Sequence, residues 1–289
     1  MSFESVIFRR SIRLVILLFS VLLFLAGPFL DRRSPSLPLA STQLPMCVGI
    51  LAYQGKRTLE DSLRSFEEGG LMRLARVMMI HFQKVDSPSR LKWSTGVLRK
   101  YPKLRGSSTE QNIEFRAFLM MAQSCEEPYF LTIEEDFRIL PSNYHLVTIQ
   151  LSSALDVIES GVSDAVLLRS RDVPGKPDYA RESFAQGSLG SQWLLEHAAW
   201  NYHAEDDFEE ITACRVSPKY WCTSTRHASF TNNPVLYKTN FYSGLLENSS
   251  SLRYADIEPT ITKLWRTRNL TVSRSLGIFT HERVDRSVV

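Results

Sequence analysis

The segment Pro128-Tyr-Phe-Leu-Thr-Ile-Glu-Glu-Asp-Phe-Arg-Ile139 sets five mostly apolar residues, Tyr129 to Ile133, directly before three consecutive carboxylates, Glu134, Glu135 and Asp136. The apolar run reads as a buried strand. Ligands of an open α/β sheet bind outside the carboxyl ends of its strands. Three adjacent acids repel one another, so such a cluster is either solvated or meets a cation. Hard carboxylate oxygens suit Mg2+ or Mn2+, ions that keep part of their shell for phosphates. The segment thus reads as a metal-diphosphate site or as a solvated acidic turn, and the flanking chain must decide between them.

Upstream, Gln111 to Ser124 carries Ile113, Phe115, Ala117, Phe118, Met121 and Ala122 on one helical face. Met46 to Tyr53 (MCVGILAY) predicts a first buried strand. A helix follows through Leu59, Leu63 and Phe66, with Thr58 as its expected N-cap, Asp61 at its third position and Gly69-Gly70 as its stop. Ala75 to Phe82 then completes a βαβ unit. Residues 83 to 110 contain Pro88, Gly96, Pro102 and Gly106 and read as loop-rich, a length expected only of a functional or partly helical stretch.

Downstream, Leu146 to Ser160 is predicted helical and Ala165 to Leu168 a short strand. Arg169, Arg171 and Lys176 follow it, and guanidinium forks match phosphate oxygens, although solvated loop charges explain the same residues. A helix is expected near 192–202, with an acidic loop at 203–210. A turn at Asn232-Asn-Pro234 precedes a short apolar run. Asp256 and Glu258 stand at the start of a helix in which Pro259 is the early residue. Each is a simple dipole-compensating acid or a functional one. The chain closes on an apolar run, Leu276 to Thr280, before His281.

The N-terminus has a separate organisation. Residues 1–13 form a short tail, and Leu14 to Leu30 is uncharged and follows Arg9, Arg10 and Arg13. Seventeen such residues are at the lower limit for a bilayer span and exceed most signal-peptide cores, so they read as an uncleaved signal anchor with a cytoplasmic N-terminus. A cleaved signal peptide is the rival, but Ala26-Gly27 is not a clean small-x-small site. Residues 31–45 hold Pro35, Pro38 and Pro45 among Ser and Thr and read as a stem, leaving 46–289 as one domain. Of the net charge of +3, Arg9, Arg10, Arg13 and Glu4 account for +2, so the domain lacks the basic footprint of a nucleic-acid binder. Four cysteines suit a luminal, disulfide-permissive compartment. Cys214 and Cys222 flank a short turn-prone loop, whereas Cys47 and Cys125 lie in apolar contexts that suit buried thiols equally well. Asn248-Ser-Ser and Asn269-Leu-Thr are glycosylation sequons.

Taken in order, MCVGILAYQ, TLEDSLRS, Asn112, PYFLTIEEDFRI, SFTNNPVLYK, DIEPTITKLW and GIFTHERVDR resemble nucleotide-sugar-dependent glycosyltransferases of the GT-A fold, family-2-like and of type II membrane topology. The resemblance implies an α/β domain, a Rossmann-type mixed sheet flanked by helices, preceded by one transmembrane helix. It implies sugar transfer from a UDP- or GDP-sugar to a hydroxyl of a glycan or glycoprotein, in the Golgi or ER lumen, assisted by Mn2+ or Mg2+. Residue by residue, Asp136 would ligate the metal, with Glu134 on the ribose or a metal-bound water and His281 completing the shell. Tyr53, Asn112, Glu134, Glu135 and Arg169 would contact the donor, and Glu258 or Asp256 would be the general base of an inverting reaction. Glu134 departs from the usual Asp-x-Asp pattern, and that departure favours the alternative of a non-catalytic luminal binding protein on the same fold.

Overall fold

The computed structural model describes residues 43–53, 55–140, 144–170, 173, 211–215, 220–228, 230–231, 234–247 and 257–282. The expected tail, anchor, most of the stem, the helix at 192–202 and the acidic loop at 203–210 lie outside them, as do Arg171, Lys176, Asn248 and Asp256. Among the described residues no helix is long and apolar enough to cross a membrane.

The opening strand β1 (Leu44–Ala52) is buried over its last seven residues. Its side chains alternate between two cores, Met46, Val48, Ile50 and Ala52 on one face of the sheet and Cys47 and Leu51 on the other. Helix α1 (Lys56–Glu68) buries Leu59, Leu63 and Phe66, as their spacing predicts. It begins two residues before Thr58, however, with Gly55 as N-cap and no side-chain cap. Thr58 is buried inside the helix, and Asp61 falls in its second turn rather than at the third position. Gly69 caps the C-terminus, and Gly70 takes the left-handed conformation that starts the short α2 (Leu71–Leu74).

Strand β2 (Ala75–Phe82) follows as expected. The stretch from 83 to 110, read as loop-rich unless partly helical, contains a full helix, α3 (Pro88–Lys100), and also a strand, β3 (Leu104–Ser108). Pro88 starts the helix instead of breaking it. It follows Ser87, whose hydroxyl accepts from Arg90 N–H, and proline loses nothing at a position whose amide has no helical partner. Helix α4 (Glu114–Gln123) leads into β4 (Tyr129–Glu134), then a tight turn into β5 (Phe137–Ile139). The remaining elements are α5 (Tyr144–Glu159), β6 (Ala165–Arg169), β7 (Thr212–Arg215), β8 (Tyr220–Ser224), β9 (Val235–Lys238), α6 (Thr239–Glu247), α7 (Ile257–Thr267) and β10 (Thr271–His281).

The strands form one mixed sheet in the order β3-β2-β1-β4-β9-β6-β10-β8-β7, with β5 paired to β10. From β1 the chain moves outward through β2 and β3, then returns across β1 to β4, with β2 parallel to β1, β3 parallel to β2 and β4 parallel to β1. Residues of α1, α3 and α5 fill the core on one face, and those of α4, α6 and α7 fill the other. The helices change faces where the strand order reverses, which opens a crevice beyond the carboxyl ends of β1 and β4.

Cys47 bridges to Cys125 and Cys214 to Cys222. The first bridge replaces the buried thiols the apolar context equally suggested: Cys47 faces the second core, and the turn after α4 brings Cys125 over it.

Candidate functional site

Strands β1 and β4 are parallel, and β9 runs antiparallel between β4 and β6, so β1, β4, β6 and the parallel part of β10 end at the same edge of the sheet. This edge gathers Tyr53 after β1, Glu134 to Asp136 after β4, Arg169 ending β6 and His281 ending β10. Asn112 is exposed just before α4, beyond the ends of β2 and β3. Of the two expected bases, Asp256 lies outside the described residues, and Glu258 lies in the first turn of α7.

The three acids have different fates. Glu134 ends β4 opposite Leu51 and is half-buried. Glu135 turns back toward β1. Its Oε2 accepts from Tyr53 N–H at 2.8 Å and its Oε1 from Gly55 N–H at 3.0 Å. Its backbone is fixed as well, donating to Leu51 O at 3.0 Å and accepting from Ser62 Oγ–H at 2.7 Å. Glu135 was expected among the donor contacts; its carboxylate is engaged with main-chain amides beside the N-terminus of α1, both of which favour its charge.

Asp136 faces the opposite way. Its Oδ2 lies 2.9 Å from His281 Nε2, while its Oδ1 is buried without a hydrogen-bond partner. The imidazole stacks on Phe137, with ring centroids 4.6 Å apart. His281 reaches this position because β10 is bulged. It pairs with β6 from Val272 to Arg274, passes a bulge with Gly277 at φ +72°, meets β6 again where Phe279 stands opposite Arg169, and from Phe279 onward also pairs antiparallel with β5 so that His281 stands opposite Phe137. A β-carbon at Gly277 would overlap the carbonyl of Arg169, so only glycine fits this bend. Glu282 N–H donates to Asp136 O, and the Glu282 carboxylate pairs with Arg138, which also pairs with Asp61 of α1.

The donor set fits a hard divalent cation. Asp136 offers a buried oxygen with nothing bound to it, and the neighbouring imidazole is a nitrogen ligand that Mn2+ accepts. Among the described residues no group of three His, Cys, Asp or Glu forms a closed cage, so the remaining positions would fall to substrate oxygens and water.

Two residues without a role in the sequence reading line the same edge. Lys84, after β2, has φ +53° and holds its ammonium 4.9 Å from the Tyr53 ring centroid. His81 in β2 is fully buried, with Nδ1 2.8 Å from Ser107 Oγ and Nε2 3.2 Å from Thr109 Oγ1; burial pushes its pKa below the usual value. Lys84 directly follows a strand's carboxyl end, the position at which an open α/β sheet presents its ligands, and that placement could have singled it out.

No protein-family model matches the chain, and no curated protein matches it. Among solved structures, S. aureus TarS 1-349 in complex with UDP-GlcNAc aligns with 85% of the chain at a TM-score of 0.51 and 14% identity. GalNAc-T7 with UDP, GalNAc and Mn2+ aligns with 84% of it at 0.56 and 11%. A 4-diphosphocytidyl-2C-methyl-D-erythritol synthase from Anaerococcus prevotii aligns at 0.45, too loosely to argue from. The chain spans 61% of the TarS fragment and 45% of GalNAc-T7. These likenesses, with the mixed sheet and its switch point, show a GT-A-like fold.

Proposed function

We propose that the chain is a glycosyltransferase that moves a sugar from a nucleoside-diphosphate donor to a hydroxyl of a glycan or glycoconjugate, assisted by Mn2+ or Mg2+, with inversion. The observation that carries this reading is the Asp136–His281 pair at the sheet's switch point, with one Asp136 oxygen buried and unpartnered. The GT-A-like fold supports the donor class, because two of its structural neighbours are described with UDP-GlcNAc or UDP bound.

In this reading Asp136 and His281 would hold the divalent ion, which when bound supplies positive charge against the departing diphosphate. Arg169, buried at the end of β6, stands at the same edge to support the donor. Tyr53 and Asn112 would contact the nucleotide and Glu134 the ribose. Glu258 or Asp256 would take the acceptor proton, and a base in line with the bond being broken gives inversion. Leu14 to Leu30 would anchor the protein in the Golgi or ER membrane with the domain in the lumen, an environment in which both disulfides persist.

The test is calorimetric titration of the full-length protein with UDP and with GDP, in Mn2+ and again in EDTA. Metal-dependent binding of one nucleotide is expected. Binding of neither would replace this reading with the non-catalytic luminal protein.

A further inference from the structure

The geometry points to Glu135 as a positioning residue of the donor site: its carboxylate clamps the amides of Tyr53 and Gly55, locking the β1–α1 turn to the Asp136 turn as one unit. The inference rests on the nucleotide-sugar reading for its function, and on contacts alone for its existence.

Glu135 sends four hydrogen-bonding groups to one place. Its amide and carbonyl bond to Leu51 O and Ser62 Oγ, and its carboxylate oxygens bond to the amides on either side of residue 54. Gly55 is the N-cap of α1, and that helix has no side-chain cap of its own. A residue far away in sequence therefore bonds the N-cap amide near the positive end of the helix dipole, the contact that a Glu or Gln at the third helical position makes in a capping box. A small residue is favoured at position 55, because a β-carbon there would stand 3.2 Å from Glu135 Oε1.

The clamp extends along α1. Ser65 Oγ accepts from Ile139 N–H at 3.1 Å, and Asp61 pairs with Arg138 at 2.9 Å, so the 135–139 segment is stitched to the helix at successive turns. The next residue after Glu135 is Asp136, and the ring of Tyr53 lies over Lys84. A shift of the β1–α1 turn would consequently move the residues expected around the nucleotide relative to those expected around the metal. Binding geometry of this kind must hold within a fraction of an ångström. The three neighbouring acids thus divide the site between them, with Glu134 at the crevice, Glu135 holding its wall and Asp136 turned to His281.

The experiment compares full-length Glu135→Gln and Glu135→Asp with wild type and Asp136→Asn. Gln retains one acceptor oxygen for two amides, and Asp retains both oxygens on a stem shorter by about 1.5 Å. Hydrogen exchange should quicken at least about tenfold at the Tyr53 and Gly55 amides in both Glu135 variants and stay at the wild-type rate in Asp136→Asn. Mn2+ affinity, read by electron paramagnetic resonance without nucleotide, should fall in Asp136→Asn and stay within about twofold of wild type in Glu135→Gln. UDP or GDP affinity in saturating Mn2+ should weaken roughly tenfold in Glu135→Gln, with donor KM rising more than kcat falls. Unchanged exchange at Tyr53 and Gly55 would overturn the clamp, as would Mn2+ affinity lost to the same degree as in Asp136→Asn, which would make Glu135 a ligand. If wild type binds no nucleotide, the donor-site reading fails and takes the clamp's function with it, whereas the exchange rates still decide whether the clamp exists. Should Glu135→Gln not fold, Glu135→Asp carries the same comparisons.

Discussion

His281 Nε2 stands 2.9 Å from Asp136 Oδ2, joining the C-terminal end of the last strand to the turn that follows the central strand β4. The pair is held by the β5–β10 pairing, by the stacking of His281 on Phe137 and by Arg138 bridging Asp61 and Glu282. The two ion pairs of Arg138 are partly exposed, so each is worth well under about 1 kcal/mol, and the strand pairing does most of the positioning.

Replacing His281 by Ala should weaken Mn2+ binding by about 10- to 100-fold, the usual loss when a group supporting a metal site is removed. Asp136→Asn should abolish metal-dependent nucleotide binding while leaving the fold intact. Calorimetry with and without EDTA reads both, and the melting temperature checks the fold. Wild-type metal affinity in His281→Ala would mean that the imidazole only braces Asp136.

Gly277→Ala tests how His281 reaches its place. The substitution requires a side chain at φ +72° and drives a methyl into Arg169 O. The expected cost is about 2 to 4 kcal/mol, read by urea denaturation, as for other substitutions at backbone-specific positions. Because the bulge directly precedes the stretch of β10 that pairs with β5 and carries His281, Mn2+ affinity should fall together with stability. A stability loss with metal affinity intact would show that the bulge is not what aims His281.

The central strands were legible because they are buried on both faces: β1, β2, β4 and β6 are nearly continuous apolar runs that end at Gly, Pro or charge. Strand β3, Leu-Arg-Gly-Ser-Ser, buries only its first residue at the sheet's edge and so left no pattern to read. Helix α3 was hidden by Pro88 and Gly96, one at a permitted N-terminal position and the other exposed with open space around it. The start of α1 was misplaced at Thr58 because the N-cap is Gly55, which has no capping side chain and whose amide is held by Glu135, and a side chain bonding to distant main-chain amides leaves no mark in local sequence. For the site, the acid triplet stood out by composition, but only the resemblance placed His281 beside it. The different engagements of Glu135 and Asp136 emerged only from the three-dimensional contacts of their carboxylates.

His81 gives the protein an acid sensitivity of definite sign. Burial holds its pKa below the ordinary value of 6.5, so below that pH the unfolded chain takes up a proton that the folded chain refuses. Its contribution is intact above pH 6.5, and stability falls as the pH drops from there toward the lowered folded pKa. His81→Gln can keep a hydrogen bond to Ser107 or Thr109 without titrating. Between about pH 7.5 and 5.5 its urea midpoint should fall less steeply than that of wild type. Parallel curves would remove His81 as the source.

The two disulfides should differ in what their loss does. Cys47–Cys125 links residues 78 apart, tying the central strand β1 to the end of α4, whereas Cys214–Cys222 links residues 8 apart beside the outermost strand pair. Restricting the unfolded chain through the longer loop is worth about 4.5 kcal/mol and through the shorter about 2.5 kcal/mol. The first bridge also lies in the core packed by Phe118, Met121 and Phe130, so its removal would put two unbridged side chains into a close-packed space. A Cys47→Ser/Cys125→Ser pair should therefore melt well below a Cys214→Ser/Cys222→Ser pair, and only the former should unfold near physiological temperature. Scanning calorimetry of both, with wild type reduced as the common reference, orders them. Equal losses would mean that residual structure in the unfolded chain already brings Cys47 and Cys125 together.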